Sequence, residues 1–416
     1  MKFFCELSDK EFDDFSQSFT PASFLQSLEM AKSQTERGQE IHFYGLKNGN
    51  EVIAAGLFTV HPYRKIFKIM TCSGGVLMDY SNLEDLKLLR QGLIDHLGPK
   101  GIAQVQILPS FPLIEHDNDG NIVKDGFDNH VLVKNLLEAG FHHHGYHNHY
   151  GCNDMRWFFH KDLRALNNSS DLINTFDKHN RRALRKALRF GVSVRDLEYN
   201  ELDKFVQIMN HTGDRRNFTH QNLDYYQSIY RQFVPQEKAR FLIAELDLSD
   251  YKKSLLSMRK KEEIEQEKAQ KNYNEKSTRK AANRLKAIED TIQSYDNKLK
   301  EIELFRDEGP ILSLAVSLFF KHVDSVTYLF SGAYDQYMQF NGPYAIVWEA
   351  LKWALQSNIP IFDFYGTVGK YAGHEDEGVF QFKKRFGGAV VEKPGTFSVN
   401  PNPALHKILK LISNIQ

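Results

Sequence analysis

The residues best suited to chemistry lie near the end of the chain. Phe382-Lys383-Lys384-Arg385 sets three cations in a row behind an aromatic side chain. An ammonium so placed can stabilise negative charge that develops on an oxygen during a reaction. A run of charges also makes an ordinary solvated turn, and charge pattern alone favours that plainer reading. A second basic set, Arg181, Arg182, Arg185, Lys186 and Arg189, recurs along a helix-forming stretch and spreads over one broad face. Such a face suits the phosphates of a nucleic acid, an anionic membrane surface, or simply water. Arg215 and Arg216 fall in an expected loop, where a guanidinium can grip a phosphate or carboxylate bidentately. Tyr365 and Thr367 close an expected strand and could present hydroxyls to a substrate, with core packing the alternative for Tyr365. His142-His143-His144, with His147 and His149, invites a metal reading. No cysteine stands nearby at finger spacing, so no metal is expected. Cys5, Cys72 and Cys152 are scattered, with neither a nucleophile's setting nor a disulfide framework.

The elements that must position these residues are those of a mixed α/β protein. At 416 residues, 41% of them hydrophobic, the chain is long enough for two or three domains with real cores. Lys plus Arg and Asp plus Glu both number 53, which argues against a generally basic nucleic-acid binder while leaving local patches open. The first residues lack the order of a signal peptide, and no apolar run approaches a membrane span. A cytoplasmic protein is expected, with any membrane contact peripheral.

Helices are expected over 8–19, 23–33, 82–97, 131–139, 172–190, 200–212, 223–233 and 342–356. Strands are expected over 42–46, 51–60, 67–72, 75–78, 103–107, 192–197, 239–246, 311–321, 325–332 and 361–365, and 379–397 reads as strand and loop. Between Tyr251 and Phe305 lies a charged stretch without proline or glycine. Ala281, Leu285, Ile288, Ile292, Tyr295, Leu299 and Ile302 alternate at four and three, the seam of a coiled coil. A helical hairpin follows, turning at Lys271-Asn272-Tyr273-Asn274, with an arm about 30 to 37 Å long. The two halves flanking this arm share an element order that points to duplication.

An ordered series of segments carries a resemblance. Tyr328-Leu329-Phe330-Ser331-Gly332-Ala333, Gly342 to Glu349, Phe362-Asp363-Phe364-Tyr365-Gly366-Thr367 and Phe380 to Lys384 run in the order of the C-terminal half of the Fem family of peptidoglycan interpeptide-bridge aminoacyltransferases (FemA, FemX, MurM and relatives). Gly75 to Tyr80, the basic helix His179 to Ala187 and Thr212-Gly213-Asp214-Arg215 extend the resemblance, and the arm lies where armed members carry it. The resemblance implies an α/β (α+β) fold of two acetyltransferase-like (GNAT-type) domains with an antiparallel coiled-coil arm inserted in the second. The expected limits are 1–150, completed by about 395–416, then 151–395, with the arm at 249–306. It implies transfer of an amino acid from aminoacyl-tRNA to the stem-peptide side-chain amine of a peptidoglycan precursor, more often lipid-linked than nucleotide-linked. Such a reaction needs neither metal nor redox cofactor, so no cofactor is expected. Its site is the inner membrane face, met peripherally, and a homodimer or a second Fem-type protein are the expected protein partners.

By the same resemblance Lys383 corresponds to the lysine that stabilises the transition state, with Phe382 beside it and Lys384 as the alternative. Tyr365, Thr367, Arg215 and Tyr328 are the remaining expected substrate contacts, and Arg181, Arg182, Arg185 and Lys186 the expected tRNA or phosphate contacts. Three positions depart from the family pattern: Gly74 and Gln221 where arginines are usual, and Leu108 where an aspartate usually precedes the proline. They keep two other readings open, a weakly active or non-catalytic paralogue serving as a partner or immunity factor, and a tRNA-binding module.

Overall fold

The computed structural model describes residues 1–63, 67–146, 155–216, 218–367 and 377–413, without the side chains of 306 and 409–413. Runs rich in β-branched and aromatic residues pair wherever a turn permits. The strands are β1 (Lys2–Glu6), β2 (Glu40–Asn48), β3 (Glu51–Tyr63), β4 (Phe67–Gly74), β5 (Ile102–Pro109), β6 (His142–His143), β7 (Trp157–Asp162), β8 (Ser193–Asp196), β9 (Ala239–Asp247), β10 (Ile311–His322), β11 (Ser325–Ala333), β12 (Ile361–Gly366), β13 (Ala389–Glu392) and β14 (Phe397–Val399). They form two seven-stranded sheets, β1-β2-β3-β4-β5-β14-β6 and β8-β9-β10-β11-β12-β7-β13.

The sheets are wired alike. In each, three antiparallel ladders lead to one parallel pair, β4 with β5 and β11 with β12. A parallel pair needs a crossover, supplied by the helices Leu83–Leu97 and Gly342–Gln356. A strand remote in sequence, β14 or β7, then adds antiparallel beyond the pair.

Each sheet packs on its own helices, and a third cluster joins the halves. Phe24 of the first half stacks on Phe320 of β10 with ring centroids 4.2 Å apart, and Phe43 and Leu57 share that cluster with Phe205, Tyr226 and Phe233. Its polar rim is paired: Ser33 Oγ meets Ser228 Oγ at 2.9 Å, Lys238 meets Glu29 at 2.7 Å, and Arg231 meets Glu36.

The arm consists of the helices Leu248–Lys276 and Arg279–Leu304, 29 and 26 residues long, or about 44 and 39 Å. It turns at Ser277-Thr278 rather than at Lys271–Asn274. Thr278 accepts the Ala281 N–H as N-cap, whereas the Asn-rich segment stays helical, with Gln270 donating to Asn274 at 2.9 Å. Arg259 pairs across the arm with Asp296 at 2.6 Å, a polar tie where the first helix is poor in apolar residues.

Other boundaries also move, and caps explain most of them. The helix expected over 23–33 breaks at Ser27, which accepts from Met30 N and starts a separate helix, Leu28–Glu36. The expected 172–190 helix splits because Asp177 accepts from Asn180 N, leaving Ser169–Asn174 and Lys178–Phe190. Residues 75–78 contribute only a bridge, Leu77 to Ala55, and strand β1 and helix Pro403–Ser413 were not expected.

Replacing the stacked ring at the junction, Phe320→Ala, should cost about 3–5 kcal/mol. Because the halves share that cluster, urea unfolding of the variant should stay a single transition at lower midpoint. Two separated transitions would contradict a shared core.

Candidate active site

Lys383 stands on a helix, Glu377–Lys384, where strand and loop were expected. Glu377 in the first turn and Lys383 and Lys384 in the last complement the helix dipole, while Phe380 anchors the helix in the core. The Lys383 side chain turns inward, 5% exposed, and its Nζ donates to the Gly366 carbonyl. That carbonyl ends β12, where the register with β7 breaks between Asp363 and Gly366. The break has a visible cause. Tyr365 adopts φ 62°, unusual for a non-glycine residue, and its N–H turns to the Asp363 carboxylate at 2.6 Å. Burial would raise the Asp363 pKa, but His160, Lys393 and the Tyr365 N–H outweigh it and hold the carboxyl below the usual range.

The next residue, Thr367, is 7% exposed, with its N–H on the Trp157 carbonyl at 2.9 Å. Its Oγ1 is buried and has no hydrogen-bond partner among the described residues. A buried hydroxyl in that state is costly, and a bound substrate oxygen would satisfy it. Phe382 packs edge-on against Tyr344 and Phe386, both at 5.1 Å, and the Tyr365 ring meets Phe158 at 5.2 Å. Lys384 is engaged by Asp119, from the Pro- and Asp-rich loop after β5. Lys383, Thr367, Tyr365, Phe382 and Lys384 thus gather around the end of β12. An ammonium bound to the Gly366 carbonyl, with the buried hydroxyl on the next residue, can serve acyl transfer, in which an oxyanion forms on the attacked carbonyl.

Two expected substrate contacts lie elsewhere. Tyr328 belongs to the core of the second sheet, stacked on Phe319 at 4.8 Å, and burial pushes its phenol pKa up. Arg215 is exposed in the last turn of the helix Leu202–Arg216, not in a loop. Thr212 draws that helix onto the end of β11 by taking the Ala333 N–H at 2.9 Å.

The helix Lys178–Phe190 buries Asn180, Ala183, Leu184, Ala187 and Phe190 and ends at Gly191, φ 84°. Lys178, Arg182, Arg185 and Arg189 are exposed at spacings of four, three and four, one straight stripe. Arg181 and Lys186 flank it, half-buried. None of these six cations has an ion-pair partner among the described residues. The helix touches the Lys383 region directly: Asn180 donates to the Phe382 carbonyl at 3.5 Å, and Asp177 meets Arg385 at 3.6 Å.

Sequence reasoning missed Lys161 on β7, 3% exposed. Its Nζ donates to Thr175 Oγ1 at 2.7 Å, Phe386 O at 2.9 Å and Gly387 O at 3.5 Å. A second ammonium therefore holds the backbone just past the Lys383 helix. Nothing but a lone lysine in an aromatic strand signalled it. The departures from pattern also gain a reason or a place. Gly74 has φ 85°, and a Cβ there would lie 2.9 Å from Ser23 Cβ, so no arginine fits this backbone. Leu108 pairs with Ser73 along β4–β5, and Gln221 is exposed. Of the histidines, His143 contacts the Pro394 carbonyl and His144 the Ser398 hydroxyl, both at 2.8 Å. His147 and His149, like Cys152, lie outside the described residues.

Burial lowers the Lys161 pKa from an ordinary 10.5 to about 8. Between those values the unfolded chain binds the extra proton, so this group's contribution to stability rises with pH. The stability advantage of the wild type over Lys161→Met should therefore be larger at pH 9.5 than at pH 7.5 in urea titrations. An advantage that shrinks over this interval would contradict the assignment.

Comparison with known proteins agrees with this architecture. The profile of the FemAB family matches residues 7–414. Aminoacyltransferase FemA of Staphylococcus epidermidis is 27% identical over 421 residues, covering 99% of both chains. Aminoacyltransferase FemA of Staphylococcus aureus strain MRSA252 is 28% identical over 399 residues, covering 95% of this chain and 94% of the relative. The crystal structure of FemX shares the fold at a TM-score of 0.76 and 21% identity, over 98% of this chain and 99% of that one. With a match that runs nearly end to end, this chain belongs to the FemAB family.

Proposed function

We propose that this protein is a tRNA-dependent aminoacyltransferase that adds an amino acid to the stem-peptide side-chain amine of a peptidoglycan precursor, with Lys383 stabilising the oxyanion. The acceptor amine attacks the ester carbonyl of the aminoacyl-tRNA. A C–N bond forms, the ester C–O bond breaks, the amine loses a proton, and the ribose oxygen takes one. Between those steps the carbonyl oxygen carries negative charge, and a positioned ammonium supplies the compensating charge without a metal. The observation that carries this reading is the buried Lys383 ammonium held on the Gly366 carbonyl beside the unsatisfied Thr367 hydroxyl. Phe382, Tyr365 and Lys384 line the same place as substrate contacts. Arg181, Arg182, Arg185 and Lys186 hold the donor's phosphates. Arg215, exposed in the last turn of the helix Leu202–Arg216, is a more remote phosphate or carboxylate contact.

The acceptor is proposed to be the lipid-linked muropeptide, reached from the cytoplasmic side by peripheral contact, with a homodimer or a second Fem-type protein as the working unit. No described helix is long and apolar enough to cross a membrane. Leu108, where a carboxylate is usual, favours one competing reading, a family member that binds its substrates as a partner protein without turning them over.

Lys383→Met should lower the transfer rate roughly ten- to a thousandfold, the range for loss of one oxyanion donor, with little change in the KM for aminoacyl-tRNA. Thr367→Val should lose less, about tenfold, the worth of one hydrogen bond. Single-turnover transfer of radiolabelled amino acid to precursor measures both. An undiminished rate in Lys383→Met removes that residue from the chemistry.

A further inference from the structure

Alternate residues of a strand point to opposite sides. In β12, Phe362 and Phe364 fill the core of the second sheet, and Asp363 turns the other way. Its side chain is 14% exposed and lies 3.3 Å from His160 Nε2 of β7. Lys393, just past β13, faces both Asp363 and Asp324 of the β10–β11 turn; burial lowers its pKa, and the two carboxylates oppose the fall. The first half closes this cluster. The Ser110 carbonyl accepts from Lys393 Nζ, and the Ala22 N–H bonds to Asp324. The Phe158 ring, 5.4 Å from the Lys393 ammonium, is an apolar neighbour that strengthens the pull between such charges.

The cluster reaches the site through Tyr365. Asp363 accepts the Tyr365 N–H at 2.6 Å, and Tyr365 holds φ 62°, a conformation that costs a non-glycine residue free energy. The Tyr365 backbone sets the direction of the Gly366 carbonyl, and Lys383 Nζ is anchored on that carbonyl. An ammonium so anchored goes where the carbonyl points. We propose that Asp363 and Lys393 are positioning residues for acyl transfer: through Tyr365 and Gly366 their charge cluster aims the Lys383 ammonium, and the Ser110 and Ala22 contacts make that aim depend on docking of the first half. The proposal rests on the role given to Lys383 under the functional reading. A charged acceptor makes a stronger hydrogen bond than a neutral one, so an ionised Asp363 can hold a left-handed residue whose own preference opposes it. Against the upward pull of burial, His160 and then Lys393 keep that carboxyl ionised.

The test is a double-mutant cycle in steady-state transfer from aminoacyl-tRNA to lipid-linked precursor, with the full chain. Asp363→Ala should lower kcat roughly tenfold or more, the worth of a hydrogen bond to a charged group, and leave the KM for both substrates within about twofold. Glycine adopts a left-handed φ without help. In a Tyr365→Gly background, itself slower for want of the ring, Asp363→Ala should therefore cost less than about twofold more. Lys393→Met should follow the same pattern with a smaller loss, and it reads the coupling if Asp363→Ala does not fold. Equal losses in both backgrounds, from variants with wild-type melting, overturn the proposal, as does a raised KM at constant kcat. A readout without substrates separates this outcome from the functional reading: trace labelling of lysines by acetic anhydride, with the exposed Lys10 as internal reference. Lys383 should label several-fold faster in Asp363→Ala than in the wild type, and an unmoved rate overturns the proposal. Faster labelling in a protein whose wild type transfers no amino acid would uphold the positioning and refute the functional reading.

Discussion

A buried ammonium is tolerated only where oxygen atoms replace the water it has lost. Two such groups lie along one short stretch here. Lys383 points into the protein and rests on the Gly366 carbonyl; Lys161 rises from β7 to the carbonyls of Phe386 and Gly387 just beyond. The first rests on the last residue of β12, just past a break in register with β7 at the left-handed Tyr365 and its Asp363 contact. The second fixes the chain where the Lys383 helix ends.

The two sheets are wired alike, but the charge arrangement is found on the second. The first half contributes a wall. Its loop after β5 crosses to the second sheet, where Asp119 takes Lys384, Ser110 accepts from Lys393, and His116 meets Glu392 at 3.0 Å. Glu392 also holds Arg156, whose guanidinium stacks 3.9 Å over Tyr146. Together with the Phe24–Phe320 stack, these ties join the halves at more than one place. A reaction between two large substrates gains from such rigidity, because a reacting geometry held in advance lowers the barrier.

Much of this was legible in the residues. The 3.5-residue seam announced the arm, and most strands lay within a few residues of their expected limits. Boundaries were lost where one side chain decides them: Ser27, Asp177 and Thr278 each cap a helix that periodicity alone ran on or began elsewhere. The site was harder. Lys383 was singled out, but a helix of eight residues is too short to show a periodicity that can be read. Tyr328 was expected as a substrate contact from the family resemblance, yet β11 turns it to the core. Lys161 could not be found at all, since two of its three partners, the carbonyls of Phe386 and Gly387, come from more than 200 positions away.

Family membership, a buried cation at a strand end and a basic stripe leading to it converge on acyl transfer from a tRNA ester. The most direct measurement supplies purified protein with tRNA charged with each radiolabelled amino acid in turn, and with lipid-linked and nucleotide-linked precursor as alternative acceptors. The account predicts label entering a precursor from one donor, or a narrow set, and more readily with the lipid-linked acceptor. Folded protein that binds tRNA but moves no label from any donor to either acceptor would contradict it.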